Sequence, residues 1–232
     1  EREVKKREIP VLGNLLVVRI LKSGEHVCGL LCLGIASHDF VLFRCTNVVY
    51  ATGGPAGIYS ESVYPLSQNG STGAAFEAGA KGKNLTEWQY GLASVKPRWN
   101  VSGTYMQALP RFVSTDGQGY DEHEFLYDLI DDGNRIQSLV FLKGYQWPFD
   151  VRKVEQGSSI IDIAVYLEKC KGRRVFLDYR QNSKGKEVDY DCLAGEAKEY
   201  LASAKACFGV PVERLRRMNE PAYRFFKDHG VD

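Results

Sequence analysis

The residues VVYATGG (48–54) restrict this chain more than any others. An apolar run that ends in glycines is the pattern of a strand buried inside a parallel sheet, with bare backbone brought close to a ligand at its end. In nucleotide-binding folds such a stretch has a partner, a second Gly-rich strand-to-helix turn near the start of the chain. No G-x-G-x-x-G stands in that setting in the 232 residues. Downstream comes PLSQNGSTGAAFEAGAKG (65–82), where Asn69 to Thr72 offer capping groups and 73–80 carries small residues at helical spacing. Small residues let a helix lie close to a sheet or a cofactor, and free amides at its N-terminus hold an anion. A tightly packed structural helix carries the same pattern.

The remaining segments predict a mixed architecture. EREVKKRE at the N-terminus reads as the end of a helix with a solvated, sign-alternating face. IPVLGN (9–14) predicts a short strand. Two β-rich runs joined at Ser23-Gly24-Glu25 predict a hairpin, and FVLFRCTN adds a third strand. After Lys83 the chain becomes rich in aromatic and turn residues. SSIIDIAVYLEKCKGRRVFLDYR then predicts an amphipathic helix followed by a strand. AGEAKEYLASAKACFG and VERLRRMNEPAYRFFKDHG predict further helices, punctuated by Gly209, Pro211 and Pro221. The change of character places a boundary near residues 83–90, between a first domain at 1–86 and a second at 87–232. A chain of this length corresponds to one large or two modest domains of roughly 100–200 residues.

Composition narrows the function. Thirty basic residues against 29 acidic ones leave a net charge of +1, no field for nucleic acid or an anionic membrane. The apolar runs are strand-sized, too short to cross a bilayer. The six cysteines form no C-x-x-C pair, and the spacing of a zinc site is absent. Cys28 and Cys32 stand two pleats apart and predict small buried hydrophobes, in keeping with a reducing, cytoplasmic setting. The chain opens on Glu1, with neither Met nor a signal peptide, which suggests a piece of a longer protein.

VVYATGG, a short spacer and NGSTGAAFEAGA together resemble the late part of the FAD-binding domain in the fumarate reductase/succinate dehydrogenase flavoprotein superfamily, which includes L-aspartate oxidase. The three strands before ATGG look like the antiparallel insert of that family. RFVSTDGQGYDEHEFL (111–126) is similar to its entry into a mobile capping domain. The run from PFDVRK to FLDYR (148–180) is similar to its cap segment, and MNEPAYRFFKDHGVD (218–232) to the return toward the FAD domain. The resemblance implies part of a Rossmann-like FAD-binding domain with an antiparallel β-meander, followed by an α+β capping domain. It implies FAD as cofactor, a small-molecule substrate, and hydride transfer between the two. It also implies that the pyrophosphate-binding turn lies before Glu1 and the closing segment beyond Asp232, so that these residues alone would not hold FAD tightly.

Carried over residue by residue, Thr52, Gly53 and Gly54 match ATGG and would lie against the cofactor. Asn69, Gly70 and Ser71 fall where the family has Gly-Asp-Gly beside FAD; Gly70 replaces the Asp, leaving Asn69 or Ser71 to substitute. The substrate side departs further. Gly91, within QYGLAS (89–94), stands at the family's His, Met106 and Gln107 at its Thr-Glu pair, and Phe149 at its catalytic Arg. Arg152, three residues on, would serve only with a shifted backbone. These departures argue against succinate or fumarate as substrate.

Other candidates come from the residues themselves. Lys96 and Arg98 stand just before Trp99 in KPRWN, so Arg98 is a candidate clamp for an anionic substrate; a surface loop with Trp99 packed at a domain seam fits as well. His123 in DEHEF has acidic neighbours, though an exposed acidic loop accounts for them. Asp162, Glu168 and Asp178 fall on helix and strand surfaces and read as structural, and Arg173-Arg174, before a strand, read as a solvated turn. The absent pyrophosphate turn and altered substrate residues also admit a second class of function, a non-catalytic α+β ligand-binding or interaction module.

Overall fold

Glycine at the first position of a two-residue turn supplies the positive φ that matches the twist of paired strands. Gly24, at φ 58°, does so here. It joins strand β1 (Leu15–Ser23) to β2 (His26–Gly34), with Ser23 opposite His26. Strand β3 (Phe40–Arg44) pairs antiparallel with the other edge of β2, giving a three-stranded meander. A computed structural model describes residues 2–54, 63, 71–85 and 91–231. The chain divides into two compact units, Glu1–Glu87 and Trp88–Asp232. Its architecture is mixed α/β, with small antiparallel sheets and several helices.

In the first unit, helix α1 (Arg2–Lys6) precedes the meander, and α2 (Thr72–Glu77) packs along β1 with Glu77 3.6 Å from Arg19. Two predicted strands do not form. Residues 9–14 lack a ladder, because Pro10 has no amide to donate and Gly13 and Asn14 turn the chain into β1. Residues 48–54 run outside any strand, and Val49 is almost fully exposed. A strand buried in a parallel sheet needs neighbours, and every described strand pair is antiparallel. Cys28 and Cys32 share a face of β2, but only Cys32 is buried.

The second unit holds most of the core. A short hairpin, β4 (Ala93–Val95) and β5 (Arg98–Asn100), leads into α3 (Thr104–Gln107) and β6 (Arg111–Thr115). Helices α4 (Gly133–Lys143) and α5 (Ser159–Cys170) follow, and then β7 (Arg174–Asp178). Strand β7 returns antiparallel to β6, with Arg111 opposite Asp178, Val113 opposite Phe176 and Thr115 opposite Arg174. Helices α6 (Gly195–Ser203), α7 (Pro211–Met218) and α8 (Glu220–Asp228) complete the unit. Pro211 starts α7, where a missing amide costs nothing, and Glu213 reaches back 2.9 Å to the Val210 amide. Met106, Phe112, Phe125, Ile161 and Leu215 form the main core; burying each such side chain contributes about 1.5–3 kcal/mol.

The acidic residues read as surface groups are in fact interior. Asp162, Glu168 and Asp178 are all buried, and each has a cation at hand. Asp178 accepts from the Arg111 Nε at 2.8 Å and from the Arg180 Nε at 2.9 Å. Glu168 accepts from the Ser114 hydroxyl at 2.5 Å and from Lys171 at 2.6 Å. Arg173 also leaves the solvent, donating to Ser114 Oγ at 2.9 Å and to the Asp121 carboxylate at 2.8 Å. Charged side chains enter a core only when paired and hydrogen-bonded; here each of Asp178 and Glu168 has one partner close in sequence, Arg180 and Lys171, and one far away, Arg111 and Ser114.

Candidate functional site

The residues matched to the cofactor side lie in the first unit. Thr52, Gly53 and Gly54 are exposed, and Gly53 takes φ 79°, a conformation that favours glycine. A Cβ at Gly54 would meet nothing within 4 Å, so the backbone there is open to close approach. Ser71 precedes α2 in a left-handed conformation (φ 40°, ψ 21°), and its hydroxyl makes no capping bond to the helix. Helix α2 is only six residues long, with little dipole to offer an anion. Asn69 and Gly70 lie outside the described residues.

The substrate-side segments come together in the second unit. Gly91 forms an antiparallel bridge to Pro148, and the Trp147 indole N–H donates to the Leu92 carbonyl at 2.8 Å. A Cβ at Gly91 would fall into the Trp147 ring and 2.7 Å from the Trp147 carbonyl oxygen. Position 91 therefore has no room for a side chain while Trp147 stays in place. Helix α3 carries the buried Met106 and Gln107 against the end of α4, where the Gly103 amide donates to the Gly144 carbonyl at 2.5 Å. A Cβ at Gly144 would lie 2.8 Å from Gln107 Cγ. Segments 91–94, 106–107 and 147–152, distant in sequence, thus meet around the turn that ends α4.

Arg152 sits on the rim of this cluster, 85% exposed. Its guanidinium grips Asp150 with two hydrogen bonds, at 3.0 and 2.9 Å, and its backbone amide adds a third at 3.0 Å. That fork holds the Asp150 carboxyl down at about 2. A depressed carboxylate favours the folded turn above the ordinary Asp range, and the benefit is lost as pH falls through about 2. Arg152→Gln is expected to return the Asp150 titration, followed by carboxyl-carbon NMR, toward the ordinary range near 4. A midpoint unchanged at about 2 would mean that Arg152 is not what holds it.

Arg98 is exposed on β5. Beside it Trp99 packs on Phe225, with ring centroids 4.5 Å apart, so this tryptophan anchors the hairpin within the second unit. Among the described residues no hydrogen bond or ion pair joins Arg98 to Arg152 or to the turn at 147–150. His123 is partly exposed and holds Asp128 through Nε2 at 2.9 Å. No group of three or more potential metal ligands occurs among the described residues. None of the described helices is long and apolar enough to cross a membrane.

Sequence reasoning missed the polar groups beneath this turn. Lys143, at the end of α4, is fully buried and donates to Asp162 Oδ2 at 2.5 Å and to the Gln146 carbonyl at 3.3 Å. Burial pushes the Lys143 amine down and the Asp162 carboxyl up, against their mutual attraction. The signal was an Asp set among isoleucines in SIIDIA and a Lys closing the apolar SLVFLK. Comparisons of the chain with protein-family models, with curated proteins and with solved structures found no match.

Proposed function

We propose that this chain is part of an FAD-dependent oxidoreductase that moves hydride between the flavin and a small organic substrate other than succinate or fumarate. The first unit would contribute part of a Rossmann-like FAD-binding domain, and the second its α+β cap. The observation that carries this reading is the meeting of segments 91–94, 106–107 and 147–152, the same segments that resemble the family's substrate side. The exposed, glycine-lined backbone at 52–54 is chemically suited to lie against a flavin. Thr52, Gly53, Gly54, Ser71 and, by resemblance, Asn69 and Gly70 would hold it. On this reading the pyrophosphate-binding turn belongs to another stretch of the natural polypeptide.

When bound, FAD supplies the hydride chemistry. The chain's own residues position substrate and exclude water. Trp147 and Pro148 wall the site where a family His would stand, removing a polar contact to a dicarboxylate. Phe149 replaces the cationic proton donor, and Arg152 is held by Asp150. Arg98, exposed beside Trp99, remains a candidate clamp for an anionic group. That tie between Arg152 and Asp150 also favours a second reading, a flavin-binding or ligand-binding module without turnover. Anaerobic bleaching of the flavin by an organic substrate separates the two.

Gly53→Val in the natural polypeptide that carries these residues tests the cofactor assignment. A β-branched residue at φ 79° carries backbone strain of about 1–3 kcal/mol, so retained FAD is expected to fall about tenfold. Unchanged FAD content would remove Gly53 from the cofactor site.

A further inference from the structure

A cavity of about 550 Å³ lies in the second unit, on the face of β6–β7 that carries Val113, Thr115, Arg174 and Phe176. It shares no lining residue with segments 91–94 or 147–152. Val113, Phe176, Tyr223 and Phe226 supply an apolar body, and the volume suits a small organic ligand. Two carboxylates also line it, and both are paired, through Arg111, which Glu124 shares, and Arg180. Asp178 is bound by Arg111 and Arg180, and Glu122 approaches Arg111 to 2.7 Å. Arg174 has no carboxylate within ion-pair distance among the described residues; its guanidinium lies 5.2 Å from the centre of the Phe176 ring. Directly across the ladder from Arg174 is Thr115, 9% exposed, whose hydroxyl has no hydrogen-bond partner. Arg174 is exposed at the mouth, where its guanidinium is free to meet an anion, and the buried Thr115 hydroxyl is left without the partner that a buried polar group normally has.

We propose that this cavity binds a small aromatic carboxylate. The carboxylate takes the Arg174 guanidinium, a χ1 rotation of Thr115 brings its hydroxyl onto the same group, and the ring fills the space between Phe176 and Tyr223. This inference does not depend on the flavin reading.

The test is calorimetric titration of the 232-residue chain with 2-naphthoate and with 2-naphthamide, which keeps the shape and removes the charge. Saturable one-to-one binding of the acid is expected, with the amide roughly tenfold weaker, as loss of a charge-assisted hydrogen bond implies. Arg174→Gln should bring the acid to the level of the amide. Absence of saturable acid binding, or equal affinity for acid and amide, would overturn the proposal. So would an Arg174→Gln chain that keeps the preference. The acid–amide difference on the unaltered chain decides the matter even if the variant folds poorly.

Discussion

Asp162→Ala is expected to destabilise the second unit by about 3–5 kcal/mol. The loss comes from what stays behind. Lys143 is fully buried, Asp162 is its only carboxylate within ion-pair distance among the described residues, and truncation leaves an ammonium without a counter-charge in the core. The lysine also donates to the Gln146 carbonyl, so its displacement loosens the turn that carries Trp147. The pair itself contributes little net stability, because desolvation opposes it at both ends. Lys143→Met together with Asp162→Leu should therefore restore most of the loss. Denaturant unfolding followed by tryptophan fluorescence reads this unit selectively, since Trp88, Trp99 and Trp147 all belong to it. A single variant within about 1 kcal/mol of the parent would show that Lys143 finds water or another partner.

Arg214→Lys is expected to cost about 2–4 kcal/mol by the same assay, although the charge is kept. Arg214 is fully buried, and burial lowers its proton affinity. Its fork reaches the Ala108 carbonyl at 2.9 Å, the Gly209 carbonyl at 2.6 Å and Asn182 Oδ1 at 2.8 Å. It also meets Tyr190 Oη at 3.2 Å. These groups come from four parts of the second unit, so one side chain ties α7 to the end of α3, to the loop between β7 and α6 and to the turn before α7 itself. An ammonium is a single point with three donors and cannot span them. Each buried acceptor left without a partner costs about 1–3 kcal/mol. Parent-like stability of the lysine variant would mean that the network contributes through charge alone.

Elements set by local chemistry were legible in the sequence. The hairpin followed from Ser23-Gly24-Glu25, α7 from Pro211, and α5 with β7 from an apolar period that switches at Gly172. What distant residues decide was not legible. Glu168 and Asp178 have local partners in Lys171 and Arg180, which fit a surface as well as a core; what draws them inside is Ser114, 54 positions away, and Arg111, 67 positions away. The converse error was VVYATGG, whose composition reads as an interior strand but which finds no ladder among the described residues. At the candidate site, glycine at position 91 could be read from the chain. That Trp147 would occupy the space beside it could not, because the contact depends on how α4 ends.

The account stands most directly on one absorption spectrum, that of the natural polypeptide carrying these residues, recorded as purified and again after incubation with FAD. An oxidised-flavin band at about 450 nm, retained through gel filtration, is the predicted result. A protein that is colourless as purified and stays colourless after FAD is added would contradict the flavoenzyme reading.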